Sequence, residues 1–146
     1  MENKEKANIF YMYYQIIKKY KIYMEVNLEA YNFSPAQLDV LTFLINNRNQ
    51  DVTATMIGQD RGVSKGLISK AVNELEDKKI IKVSQSKKDK RVNLLTIEDF
   101  SSRQIQEIKK YNDEFIDNLI KDLSYEDLLN FNRISLIMMD NVGRIE

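Results

Sequence analysis

The residues best equipped for chemistry lie between Ser64 and Arg91, and their types bind anions and base edges rather than break bonds. Ser64, Lys65, Gly66, Ser69, Lys70 and Asn73 follow one another at spacings that a single helix face can gather. Lysine pairs with guanine and asparagine with adenine, while serine and a helix N-terminus are natural phosphate ligands. Gly66 lets a backbone come close, and Leu67 is placed to touch a thymine methyl. Further on, the run SKKDKR brings together Lys87, Lys88, Lys90 and Arg91, suited to phosphates or, for Arg91, to a narrow minor groove. Asp89 stands among these cations and would be repelled by a nucleic acid unless it braced a neighbour. Arg91, two residues on and on the same strand face, is the neighbour expected, with mere solubility as the plainer alternative.

The chain contains no histidine and no cysteine. Imidazole bases, thiolate nucleophiles, disulfides and nearly every zinc or haem geometry are thereby removed. Asp113, Glu114 and Asp117 share a helical stretch, yet no calcium-loop pattern, phosphate-binding glycine loop or serine elbow surrounds them. A solvated acidic face explains them better. No enzyme, metal or cofactor is expected.

Net charge is zero, from 22 basic and 22 acidic side chains, but it is unevenly placed. Residues 61–91 carry 10 basic and 4 acidic side chains, whereas residues 92–146 carry 6 and 11. A basic centre against an acidic C-terminal part is the electrostatic footprint of nucleic-acid binding, although a solvated lysine-rich face has the same composition. With 146 residues, 43% of them apolar, and a single proline, one compact chain with a real core is expected. The first ten residues carry charges of both signs and no apolar leader, and no run of eighteen apolar residues occurs, so a cytoplasmic protein without a membrane partner is expected.

These residues need elements to position them. Ser34, Thr53, Ser64, Thr96 and Ser124 each have an apolar residue before them and another five positions later, the hydrophobic-staple pattern of a helix start. Gln37, Asp99 and Asp127 add capping-box partners, and Pro35 suits a first helical position. An earlier helix is expected from about Ala7 to Tyr31, with Phe10, Tyr13, Ile17, Tyr20, Met24 and Leu28 at helical spacing. Its six tyrosines cover more than one face, which suggests a partner surface. Residues 53–79 have the layout of a helix-turn-helix, with Gly62 in the turn, Gly58 permitting close approach, and Ile57, Ile68, Val72 and Leu75 as shared core. Ile81 and Val83, then Val92 and Leu94, alternate with polar residues and predict a hairpin with a basic tip. The fold expected is mainly α: a winged helix-turn-helix of six helices plus a β-hairpin wing.

DKRVNLLT, with Asp89, Arg91, Leu95 and Thr96, and the helix VSKGLISKAVNELE before it resemble the MarR family of winged-helix regulators, and the likeness in element order covers almost the whole chain. The resemblance implies a sequence-specific transcriptional regulator, more often a repressor, that binds a pseudo-palindromic operator in double-stranded DNA as a homodimer and is often released by a small-molecule ligand. It divides the chain into an N-terminal dimerisation helix (1–32), a DNA-binding region (33–97) and C-terminal dimerisation helices (98–146). Phe100, Ile108, Phe115, Leu119, Leu128, Phe131, Met138 and Val142 are the apolar positions expected to be covered in the last of these. A ligand pocket is expected between the wing region and the dimer helices, lined partly by tyrosines and methionines of the first helix. A SarA-like winged-helix regulator that acts without a ligand is the alternative. Two positions depart from the family: Lys79 stands where a glycine usually ends the recognition helix, and Val83 where an arginine usually begins the wing. Lys79 is therefore expected either to take a left-handed conformation at some cost or to end the helix differently, and one wing contact to be missing.

Overall fold

The structure, a computed structural model, describes residues 3–145, with side chains from residue 8 onward. Its elements run α1 (Asn3–Asn27), a 3-10 turn (Glu29–Tyr31), α2 (Pro35–Asn46), α3 (Ala54–Arg61), α4 (Lys65–Asp77), β1 (Ile81–Gln85), β2 (Asn93–Ile97), α5 (Arg103–Leu119) and α6 (Tyr125–Gly143). Six helices and a two-stranded antiparallel hairpin make a winged helix-turn-helix.

Local chemistry explains most of the boundaries. Ser34 Oγ accepts from the Gln37 N–H while Gln37 Oε1 accepts from the Ser34 N–H, a closed capping box with Pro35 at the first helical position. Thr53 and Ser64 cap α3 and α4 through their hydroxyls, and Ser124 with Asp127 closes a second box at α6. The helix start expected at Thr96 does not form. Thr96 instead pairs with Lys82 in the hairpin, and the bonds Leu95 N–H to Val52 C=O (2.8 Å) and Glu98 N–H to Ile80 C=O (2.9 Å) hold this stretch extended. Asp99 is left to accept from Ser101 N–H and Oγ–H, and α5 begins only at Arg103. Helix α1 ends at Asn27, short of the expected Tyr31, because Asn32 turns into the left-handed region at φ 54° and closes the 3-10 turn.

The hairpin register aligns Ile81 with Ile97 and Val83 with Leu95. Leu95 and Ile97 are therefore the buried side chains of β2, one residue out of phase with the Val92–Leu94 face expected. Both members of the Leu94–Leu95 pair are apolar, so alternation in sequence leaves the phase open and pairing decides it.

One core, made of Met24 and Leu28, Val40, Leu41 and Leu44 of α2, Ile57, Ile68, Val72 and Leu75, the wing residues Ile81, Leu95 and Ile97, and Ile105 and Ile108 of α5, holds these elements together. Three phenols join α1 and its following turn to α5: Tyr20 to Asn112 (2.7 Å), Tyr23 to Glu114 (3.1 Å) and Tyr31 to Glu107 (2.8 Å). By compactness the chain divides after Phe115. In the C-terminal unit, α6 has no buried residue among those described, and Phe131, Leu136, Met139 and Val142 are exposed. Of the apolar positions expected to be covered from residue 98 on, Ile108 is buried, Phe100, Phe115, Leu128 and Met138 are half-buried, and Leu119, Phe131 and Val142 are exposed.

Candidate nucleic-acid interface

Helix α4 is sharply two-sided. Ile68, Ala71, Val72 and Leu75 are committed to the core, and on the other side Lys65, Gly66, Ser69, Lys70 and Asn73 are all exposed. Ser64 is exposed too, but its hydroxyl is already engaged in the cap, accepting from Leu67 N–H at 3.4 Å. Leu67 is 55% exposed, an apolar side chain left on the wet face where it can meet a base methyl.

The turn that aims this helix depends on two glycines. Gly62 ends α3 at φ 63°, a conformation that side-chained residues adopt at a cost, and its N–H returns to Gly58 C=O. A Cβ on Gly58 would sit 3.2 Å from the Val63 carbonyl, so a larger residue would push the turn outward. At the far end Lys79 adopts φ 57° and closes onto Glu76 C=O, and Ile80 N–H returns to Leu75 C=O, so the left-handed stop is made by lysine. Val83 is half-buried against the core and offers no charge where the wing begins.

The wing tip is built around Ser86 and Asp89. Ser86 Oγ accepts from the Lys88 and Asp89 N–H groups, and Ser86 N–H bonds to Val92 C=O at 2.9 Å. Asp89 accepts from Arg91 three times, through the backbone N–H (3.0 Å), Nε (3.2 Å) and Nη2 (3.4 Å). The Arg91 side-chain bonds first, and its backbone N–H second, hold the Asp89 carboxyl below its ordinary range. Asp89 and Arg91 are thus brought together, with the Arg91 side chain 91% exposed and Lys87, Lys88 and Lys90 exposed around it.

Two residues of α3 adjoin this face. Thr55 and Gln59 of α3 line, with Lys65 and Ser69 of α4, a groove of about 250 Å³ across the turn. Their one-turn spacing on a helix preceding Gly62 is the signal that marks them. Away from this face a cavity of about 70 Å³ opens between α1 and α2, walled by Tyr20, Met24, Phe33, Leu38, Asp39 and Thr42. Burial pushes the Asp39 carboxyl and the Tyr20 phenol above their ordinary values. Among the described residues no group of three or more carboxylates, histidines or cysteines is placed to hold a metal, and no helix is long and apolar enough to cross a membrane.

Comparison with known proteins places this geometry. Residues 31–92, from the turn before α2 to the wing, match a family model described as MarR family. No curated protein matches the chain. Among solved structures, a MarR-family transcriptional regulator from Silicibacter pomeroyi superimposes with TM-score 0.82 at 14% identity, covering 100% of this chain and 99% of that one. MepR of S. aureus in its DNA-binding conformation gives 0.81 at 19% identity, with 92% and 98% coverage. The MepR–DNA complex gives 0.74 at 18% identity, with 90% and 94% coverage.

Proposed function

We propose that this chain is a MarR-family, sequence-specific transcriptional regulator of double-stranded DNA, a reading supported by the match of residues 31–92 to a MarR family model and by the winged-helix fold it shares with solved members. One observation carries the reading: the exposed face of α4 holds Lys65, Ser69, Lys70 and Asn73 and no committed core residue. That face enters a major groove, with Lys70 and Asn73 on base edges, while Lys87, Lys88, Lys90 and Arg91 of the wing contact phosphates and the adjoining minor groove. The MepR–DNA complex among the structural neighbours supports the reading at the level of fold.

The chain acts as a homodimer on a pseudo-palindromic operator and represses from it. Support for the dimer comes from apolar side chains left in water: Phe10 (81% exposed), Tyr11, Met12 and Ile17 on α1, and Leu136 and Met139 on α6. In the regions proposed as 1–32, 33–97 and 98–146, the first and last supply this dimer and the middle one the DNA contacts. The protein works in the cytoplasm, with no enzymatic step.

Selection of bound sites from random duplexes tests the function. A two-fold symmetric site is expected, and its affinity should fall in Lys70→Ala, Asn73→Ala and Arg91→Ala at fixed salt. Unchanged affinity in all three variants would sink the proposal.

Release by a small ligand is the second element of the reading, against a SarA-like regulator without ligand; the cavity between α1 and α2, walled by Tyr20, Met24 and Phe33, is its starting point and at about 70 Å³ must widen to reach the roughly 300–1,000 Å³ of ligand pockets. A compound that raises Tm in a thermal-shift screen and also weakens operator binding is expected. If every stabilising compound leaves DNA binding untouched, the ligand-free alternative stands.

A further inference from the structure

Glu74, on the last turns of α4, lies between Gln37 of α2 and the groove-facing Lys70. Gln37, only 3% exposed, uses its Oε1 to close the α2 capping box and its Nε2 to donate to Glu74 Oε2 at 2.5 Å. The other carboxylate oxygen, Oε1, lies 3.9 Å from Lys70 Nζ, one turn back on the same helix. Lys70 is open to solvent, its side chain 74% exposed against 40% for Glu74. Both line a shallow cleft of about 270 Å³ between α4 and the first residues of α2.

A pinned carboxylate beside an exposed ammonium changes what that ammonium can do. An unrestrained lysine takes phosphates, which supply affinity without sequence information, whereas base edges supply discrimination. A fixed negative charge one turn away competes with phosphates for the lysine and draws it along the helix axis. We propose that Glu74 is a specificity-determining residue, anchored by Gln37 so that its carboxylate keeps Lys70 on base edges and away from the phosphate backbone. Gln37 acts through Glu74 as a positioning residue. The proposal rests on the DNA-binding reading above.

The test uses the full chain with its selected duplex and with a random duplex of equal length, across a range of salt concentrations. In Glu74→Gln, random-duplex binding should tighten about threefold, the selected-to-random ratio should fall by a similar factor, and the salt slope should steepen by up to about one. Gln37→Met should move the same quantities in the same direction, with helix content by circular dichroism confirming the fold. In a Lys70→Ala background, Glu74→Gln should leave the slope where it was. An unchanged ratio and slope in Glu74→Gln overturns the proposal, and so does an equal change in the Lys70→Ala background. Failure of the underlying reading is distinguishable, because wild-type protein would then show no preference for any duplex, and the proposal would fall with it.

Discussion

Asn73 and Lys88 sit on the same positive segment, yet their losses should differ in kind. Asn73→Ala removes a side chain able to pair bidentately with adenine, so about 1–3 kcal/mol of discrimination should vanish at one base position in a competition assay. Lys88→Ala removes one proposed phosphate contact, so affinity should drop evenly across sequences and the salt slope should shrink by about one. Asp89 is a different case, because in the proposed complex it acts only through Arg91, which it holds by three hydrogen bonds. Its folded carboxyl lies below the ordinary range, so its contribution is present above that range and is lost as pH falls through the lowered value. Asp89→Asn should weaken binding at neutral pH and flatten the acid limb of the binding profile. Asp89 and Arg91 could be paired from sequence because they are two residues apart on a strand. Glu74 could not be paired with Gln37, 37 positions away, before α2 and α4 were packed.

Helix starts were readable wherever the capping residue was followed by a helix free of competing partners, as at Ser34, Thr53, Ser64 and Ser124. Thr96 carried the same local pattern and became a strand residue, because ladder bonds from β1 and the bridge from Val52 outweigh one side-chain cap. The end of α4 gives a testable cost. Lys79 holds φ 57° where glycine would be unstrained, so Lys79→Gly should raise unfolding stability by about 0.5–1 kcal/mol in urea titration. A lower stability would mean that the lysine side chain contributes something its backbone does not. Between α1 and α2, the Asp39 carboxyl is raised chiefly by burial, with Lys21 and Arg61 partly opposing. A raised carboxyl favours the folded state below its unfolded value and loses that advantage as pH rises through the folded value. Asp39→Asn should therefore raise Tm at pH 7, and the gain should fade on acidification.

For the molecule as a whole, the decisive surface is apolar and uncovered. Leu136 and Met139 on α6 are 62% and 71% exposed, values that a partner copy would reduce. Leu136→Glu with Met139→Glu should shift sedimentation from dimer to monomer and weaken binding to a symmetric site far more than to a half-site. A wild-type monomer at micromolar concentration would remove the dimer from the proposal. The sequence by itself determined the order of the elements, the two-sided α4, the Gly62 turn and the Asp89–Arg91 brace, because each depends on neighbours within about one helical turn or strand step. Tertiary structure alone decided the phase of β2, the late start of α5, the pairing of three phenols with α5 and the anchoring of Glu74 by Gln37. Those depend on contacts between distant segments, where several local choices are equally good until packing and hydrogen bonding select among them.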